Sequence, residues 1–236
     1  MSGAGPAFQG RVAVLGGTGA QGWGLALRWA AAGIPVAIGS RDPGRAREAA
    51  ARLAVALERA GLGAAHPPAG LSNLEAARWA DVAVVTVPAA ALPSLLPPLA
   101  DVLRTQTVVD VSVSLALQPD GRLIASPPPE GSTALRVRAL LGGHPRLAAA
   151  FHTVSATLLA EPHGSLQGDD TAIFADDPES ARVASALAGA IGLRPVPAGD
   201  LRDAALAEHL AALLIRLGRR HHRRGPGIRF THLAPG

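Results

Sequence analysis

The feature that most constrains the fold is a glycine-rich string between a short apolar run and a long segment rich in Ala and Leu. Residues 12–15 are apolar, the string occupies residues 16–22, and the Ala/Leu-rich segment continues to about residue 32. This order predicts a buried strand, a tight turn and a helix that ends at Gly33. A second apolar run at residues 36–39 completes a βαβ unit, which commits the chain to a parallel sheet.

Three glycines of the string, Gly17, Gly19 and Gly22, fit the pattern G-x-G-x-x-G. In a dinucleotide site, the first permits the tight turn, the second lets the backbone approach a pyrophosphate, and the third allows close contact between helix and strand. Free N–H groups at the helix N-terminus would face the anion. The string therefore predicts a dinucleotide-binding turn, and the alternative is that its glycines only shape the chain.

The end of the second strand predicts the choice of nucleotide. An acid there would bind the ribose hydroxyls of NAD, but this chain has Ser40 and Arg41, followed by Arg45. A hydroxyl and two guanidinium groups suit a 2′-phosphate, so NADP is favoured over NAD. Asp42 is the competing feature, although it could instead cap a helix that begins at Pro43. A solvated cluster of charges is the other interpretation.

The rest of the chain alternates apolar runs with helical patterns. Strands are predicted at residues 82–87, 107–111 and 171–175, helices at 43–60, 178–190 and about 201–217, and loops at 61–70 and 118–129, while residues 147–154 form a further apolar stretch with no assigned element. Ser72 and Ser132 are expected to cap helices. The alternation predicts an α/β fold: a Rossmann-type dinucleotide-binding domain with a mainly parallel sheet over residues 9–155, and a smaller, partly helical C-terminal domain over residues 156–236.

Composition limits the classes of partner. The chain has 22 Lys or Arg against 18 Asp or Glu, and six arginines between residues 216 and 230 have no acid among them. That basic run lacks the interleaved aromatic residues of a nucleic-acid site, so we expect a solvated or subunit-facing helix end, or a surface that attracts an anionic cofactor tail. No stretch approaches the roughly 18 apolar residues of a membrane span. We expect a soluble, cytoplasmic protein without nucleic-acid or membrane partners.

Metal and nucleophile chemistry receive little support. Cys is absent, and the adjacent His221 and His222 lack the spacing of ligands on one helical face, so we expect no metal. His152 ends an apolar stretch, and we expect it to be a structural histidine with satisfied nitrogens rather than a catalytic one.

Several motifs in their order resemble one family. The run RVAVLGGTGAQGWGLALRWAAAGIPVAIGSRD resembles the start of the NADPH-dependent coenzyme F420 reductases, also called F420-dependent NADP oxidoreductases. Later elements are similar to the same family over nearly the whole chain: Thr86-Val87-Pro88, Phe151-His152-Thr153, Gly192-Leu193-Arg194-Pro195, Arg219-Arg220 and Gly227-Ile228-Arg229.

The resemblance implies direct hydride exchange between NADP(H) and the deazaflavin F420 in a homodimer, with the C-terminal domain contributing to the second-substrate cleft. No catalytic acid or base is implied, because the cofactors carry the reaction and the protein supplies proximity. The implied cofactor-binding residues are Gly17, Thr18, Gly19, Ala20, Gln21 and Gly22 at the pyrophosphate turn, Ser40, Arg41 and Arg45 at the 2′-phosphate, and Val87, Ala89, Leu115 and Ala156 near the rest of the nucleotide and the nicotinamide.

Three positions depart from the family pattern near the implied cleft. Ala89 stands where an aromatic residue is common, Ser114 where a proline is common, and Ser155 replaces the proline of His-Thr-Ile-Pro-Ala. Two alternatives therefore stay open: an NADP(H) oxidoreductase with another small acceptor, and a non-catalytic NADP sensor that binds a partner through its basic tail.

Overall fold

The computed structural model describes residues 8–143 and 146–233. Its strands are β1 (Val12–Leu15), β2 (Val36–Ser40), β3 (Ala69–Ser72), β4 (Val82–Val85), β5 (Thr107–Asp110), β6 (Leu115–Leu117), β7 (Leu123–Ala125), β8 (Leu147–Ala149), β9 (Asp170–Ala175) and β10 (Arg194–Gly199). Its α-helices are α1 (Ala20–Ala31), α2 (Pro43–Arg59), α3 (Asn73–Trp79), α4 (Leu92–Leu95), α5 (Ala100–Leu103), α6 (Thr133–Leu140), α7 (Ala156–Leu159), α8 (Pro178–Ala190) and α9 (Ala205–Arg220).

Eight strands form one sheet in the order β10-β9-β8-β5-β4-β1-β2-β3. Neighbouring strands run parallel except β8 and β9, which are antiparallel. From β1 the chain adds β2 and β3 on one side, and it then returns to add β4, β5 and β8 on the other. The strand order therefore reverses between β1 and β4, which is the point where open α/β sheets bind ligands.

Alternate residues of β1 enter two different cores, one on each face of the sheet. Val12 and Val14 belong to the core that also holds Trp29 of α1, whereas Ala13 and Leu15 face the core beneath α3 to α6 and α9. Because both faces are covered, the central strands are apolar throughout. The predicted α/β fold with a mostly parallel sheet and a helical C-terminal region is confirmed.

Three predicted helix caps are present. Asp42 Oδ1 accepts hydrogen bonds from the backbone N–H groups of Gly44 at 2.8 Å and Arg45 at 3.4 Å. Ser72 forms a reciprocal capping box with Glu75, and Ser132 Oγ accepts from the N–H of Leu135 at 3.1 Å. Each cap satisfies N–H groups that the first helical turn cannot satisfy internally.

Two strands lie partly or wholly in predicted loops. β3 includes residues 69 and 70 of the predicted loop 61–70 and pairs with β2 at the sheet edge. Gly70 permits this position, because a Cβ there would lie 2.5 Å from the carbonyl carbon of Ala46 in α2. β7 lies in the predicted loop 118–129 and pairs antiparallel with β6, turned through Gly121 at φ +79°. The loop predictions were wrong at these residues because short strands depend on their partners.

The sheet continues past the predicted domain boundary at residue 155. Strands β9 and β10 come from the C-terminal part and extend the same sheet beyond β8. The division into residues 9–155 and 156–236 stays a prediction. Within the described residues, no helix combines the length and the apolar character needed to cross a membrane.

Candidate functional site

The carboxyl ends of β1 and β4 form the crevice at the reversal of strand order. Gly16 follows β1, and Thr86 and Val87 follow β4. The backbone N–H and the hydroxyl of Thr86 both donate to the carbonyl of Leu15 at 3.0 Å, which holds the two strand ends together. Val87 then lies against the glycine turn, since a Cβ at Gly16 would be 3.4 Å from its Cβ.

Steric and backbone constraints explain two of the predicted glycines and one that the motif did not single out. A Cβ at Gly17 would lie 2.8 Å from the carbonyl oxygen of Val14. The N–H of Gly17 donates to the carbonyls of Val14 and Gly39, both at 3.1 Å, which closes the turn. A Cβ at Gly22 would lie 2.8 Å from the Cα of Gly17, so α1 could not approach β1. Gly16 has φ +75°, a conformation that other residues rarely adopt, although it precedes the matched pattern.

Protein packing does not explain Gly19. Among the described residues, the carbonyl oxygen of Gly16, at 3.8 Å, is the sole atom within 4 Å of a Cβ built there. Gly19 is the N-cap of α1 with an extended backbone and no side-chain cap, and no acid occupies the first helical turn. The missing side chain leaves space over the positive end of the helix dipole, and a pyrophosphate fits such a place.

The residues predicted to bind a 2′-phosphate follow β2 directly. Ser40 is buried at the strand end, and its hydroxyl accepts from the N–H of Asp42 at 3.2 Å. The guanidinium groups of Arg41 and Arg45 are exposed, and in the described part of the chain neither makes an ion pair or a side-chain hydrogen bond. The carboxylate of Asp42 caps α2, which is the alternative role that the sequence offered for it.

Gln21 connects the glycine turn to the later His-Thr motif. Its side-chain amide donates to the carbonyls of Phe151 at 3.4 Å and Val154 at 3.2 Å. The side chain is thus turned toward residues 151–154, and what Gln21 offers at the turn is its backbone. Ala156 begins α7 two residues after Val154, and α7 packs along α1, so the structure brings this predicted site residue beside the same helix.

The His-Thr motif begins with a strained residue. Phe151 has φ +65° although it is bulky, and its fully buried ring meets that of Trp29 edge-on at a centroid distance of 5.7 Å. His152 is also buried, and neither of its ring nitrogens has a partner among the residues that the structure describes. Burial lowers its pKa to about 4, so the ring is neutral at neutral pH. The expectation of satisfied nitrogens was wrong.

A buried pair of carboxyl groups lies behind the loop that follows β5, and motif analysis did not find it. Glu208 of α9 is fully buried, and its two oxygens accept from the N–H groups of Thr133 at 2.8 Å and Ser114 at 3.1 Å. Asp110 accepts from the hydroxyl of Ser112 at 2.5 Å. Burial raises the pKa of Asp110 to about 7, and the nearby charge of Glu208 adds to the rise. The sequence signal that could have revealed Glu208 is an acidic residue among the apolar residues of a predicted helix.

These bonds hold the segment that leads into β6. A proline at position 114 could not donate to Glu208, so the serine found here is used through its backbone. Leu115 follows it and is half-buried in β6, while Ala89 is half-buried in a short 3₁₀ helix after β4. Both residues thus follow strand ends at the carboxyl edge of the sheet.

A cavity of about 780 Å³ runs between α1 and α2 from the glycine turn outward. Thr18 and Ala20 line its inner end, and Trp23, Arg52 and Arg59 line its outer part. It is therefore continuous with the turn, although most of its wall lies outside the crevice between β1 and β4.

Comparisons with known proteins agree with this geometry. The sequence profile of the family described as NADP oxidoreductase, coenzyme F420-dependent, matches residues 11–114. The F420-dependent NADP reductase of Methanothermobacter thermautotrophicus is 38% identical over 226 residues, which cover 94% of this chain and 95% of that protein. The F420-dependent NADP reductase of Methanocaldococcus jannaschii is 34% identical over 227 residues, which cover 94% of this chain and 99% of that protein.

Solved structures share the fold at lower identity. A crystal structure from Arthrobacter sp. FB24, provisionally assigned as an F420-dependent NADP reductase, has a TM-score of 0.74 and 22% identity, and covers 95% of this chain and 100% of its own. A pyrroline-5-carboxylate reductase from Coxiella burnetii has a TM-score of 0.55 and 18% identity, and the match covers 89% of this chain and 67% of that one. By its sequence relatives, the chain belongs to the family of F420-dependent NADP oxidoreductases, as its motifs predicted.

Proposed function

We propose that this chain transfers a hydride between NADP(H) and the deazaflavin coenzyme F420 in the crevice between β1 and β4. Membership of the family makes it an oxidoreductase of this cofactor pair, which confirms the predicted enzyme class and cofactors. The observation that carries the proposal is the open space over Gly19, together with Arg41 and Arg45 beyond the next strand, whose guanidinium groups have no side-chain partner among the described residues.

The two cofactors supply the redox chemistry when bound, and the residues of the chain bind, orient and exclude water. The backbone at Gly19 would hold the pyrophosphate, and the hydroxyl of Ser40 with two guanidinium groups would hold the 2′-phosphate. The proposed cofactor-binding set is Gly17, Thr18, Gly19, Ala20, Gln21, Gly22, Ser40, Arg41, Arg45, Val87, Ala89, Leu115 and Ala156. No acid or base is required, which agrees with a neutral, buried His152.

Turnover with a panel of acceptors tests the proposal. We expect NADPH to reduce F420, measured as loss of the oxidised deazaflavin absorbance, and we expect no comparable turnover with flavins or simple carbonyl compounds. Ala89→Trp should lower the Michaelis constant for F420 up to about tenfold, since ring stacking is worth roughly 0.5–1.5 kcal/mol. If NADPH binds but F420 is not reduced by either protein, another acceptor takes its place. If NADPH binds and no acceptor in the panel is reduced, the result favours the NADP sensor over the enzyme.

We also propose a homodimer, and a cytoplasmic location as expected for these soluble cofactors. Support for the dimer comes from large apolar side chains that are exposed on α9 and on the β6–β7 hairpin: Leu206, Leu213, Leu217 and Leu117. Patches of this kind commonly mark protein interfaces. Light scattering should give twice the chain mass, and Leu213→Glu should reduce it; a monomeric unmutated protein would refute the dimer.

A further inference from the structure

Five of the six arginines in the basic run near the C-terminus have no acidic partner among the described residues. Arg216, Arg219, Arg220, Arg223 and Arg224 form no ion pair within the described parts of the chain, whereas Arg229 lies near Asp170 and lowers the pKa of that carboxyl together with Arg194. No acid occurs between residues 216 and 230. Like charges gathered in one place cost free energy unless an anion approaches them.

The chain after α9 folds back, and we call residues 221–229 the tail strap. The N–H of Arg223 donates to the carbonyl of Gly218 at 2.9 Å, which closes the turn at the helix end. The strap then crosses α7: a Cβ at Gly225 would lie 2.8 Å from both Ser155 Oγ and Leu158 Cγ. It reaches the sheet where the N–H of Asp170 donates to the carbonyl of Ile228 at 2.8 Å.

This course brings two arginines to the start of α7. Arg223 and Arg224 are exposed and immediately precede Gly225, whose backbone packs on Ser155. Ser155 is adjacent to Ala156, which belongs to the proposed cofactor-binding set and which the family resemblance places near the rest of the nucleotide and the nicotinamide. The unneutralised charge is therefore held at the cleft rim by backbone contacts on both sides.

We propose that Arg223 and Arg224 bind the anionic tail of the second substrate, namely the phosphodiester and the glutamate carboxylates that F420 carries. This inference rests on the proposed function. A deazaflavin held in the cleft would carry its anionic tail on the side away from the ring, where Arg223 and Arg224 would be available to hold it. Guanidinium groups bind phosphate and carboxylate oxygens bidentately, and a positive rim also accelerates the approach of a polyanion.

The nucleotide phosphates are the other source of anions, and the experiment separates the two. Michaelis constants are measured at low ionic strength for NADPH, for F420 and for its riboflavin-like precursor, which has the deazaflavin ring without phosphate or glutamate. The variants are R223E/R224E and, as a control with the same change of net charge, R104E/R182E. Arg182 lies on α8 and Arg104 caps the C-terminus of α5; both are exposed, and each pairs with an acid of that helix.

We expect R223E/R224E to raise the Michaelis constant for F420 by about tenfold at low salt and by much less at high salt, because exposed charges are screened. The constants for NADPH and for the tail-free deazaflavin should stay within about twofold, as should all three constants in the control. If R223E/R224E lowers the melting temperature, R223Q/R224Q replaces it, with about threefold expected.

The inference is overturned if the constant for F420 is unchanged, if the tail-free deazaflavin is affected equally, if NADPH is the affected substrate, or if the control shows the same rise. An unmutated protein that reduces neither deazaflavin would instead refute the proposed function, and the inference with it. An enzyme that reduces both deazaflavins and tolerates the charge reversal refutes this inference alone.

Discussion

Replacement of Glu208 by Ala should be among the most destabilising single changes in the chain. The fully buried carboxylate joins α9 to two separate segments, since its oxygens accept from the backbone N–H groups of the buried Thr133 and the half-buried Ser114. Truncation leaves the buried N–H of Thr133 and the partly buried N–H of Ser114 without their acceptor. Each orphaned donor costs about 1–3 kcal/mol, so we expect Glu208→Ala to lower the free energy of unfolding by about 3–5 kcal/mol.

The conservative variant refines this magnitude. Glu208→Gln keeps one accepting oxygen but directs an NH₂ group at the other donor, so it should cost about 1–3 kcal/mol. Glu179→Ala on α8 is the matched control, because its exposed ion pair with Arg182 is worth less than about 1 kcal/mol.

Urea denaturation followed by circular dichroism measures all three variants, with the free energy taken from the midpoint and slope. The reasoning would be wrong if the free energy of unfolding of Glu208→Ala fell within about 1 kcal/mol of that of the control. It would also be wrong if Glu208→Gln lowered this free energy as much as Glu208→Ala does. The first result would mean that water satisfies the two donors, and the second that the negative charge matters more than the acceptor geometry.

Three further perturbations test the site and the sheet beneath it. Arg41→Ala should weaken NADPH binding by about ten- to a hundredfold and leave the affinity for NADH unchanged, since charge-assisted bonds contribute roughly 1.5–3 kcal/mol. Calorimetric titration with both nucleotides measures this change. Equal affinity of the unmutated protein for NADPH and NADH would refute the prediction. Gly19→Val should abolish nucleotide binding with an unchanged melting temperature, because the added side chain enters open space rather than packed protein; retained affinity would mean that the nucleotide binds elsewhere. The folded-state pKa of Asp110 is raised to about 7, so the folded state holds a proton that the unfolded chain loses at lower pH, and stability should fall as pH rises between about 4 and 7, by up to about 4 kcal/mol. Asp110→Asn should flatten that dependence in urea titrations at several pH values, and an equally steep profile would contradict the assignment.

The sequence was sufficient for features whose cause is local. The strand–turn–helix at residues 12–31 depends on an apolar run, on glycines that alone tolerate the turn, and on a good helix former after it. Caps such as Asp42 and Ser132 are equally local, because the side chain that accepts the bond lies two or three residues from the donor. The family motifs also predicted the function, since an ordered set of short matches is specific even when each match is weak.

Tertiary structure alone decided the features that join distant residues. β3 and β7 are short strands without strong periodicity, and each exists because a partner strand is present to accept its hydrogen bonds. The bond between Glu208 and Ser114 spans 94 positions, and the contact of Gly225 with Ser155 spans 70, so neither leaves a spacing that the sequence could reveal. Local conformational preferences are encoded in neighbouring residues. The role of a buried acid or of a folded-back tail depends instead on the distant residues that contact it in the completed fold.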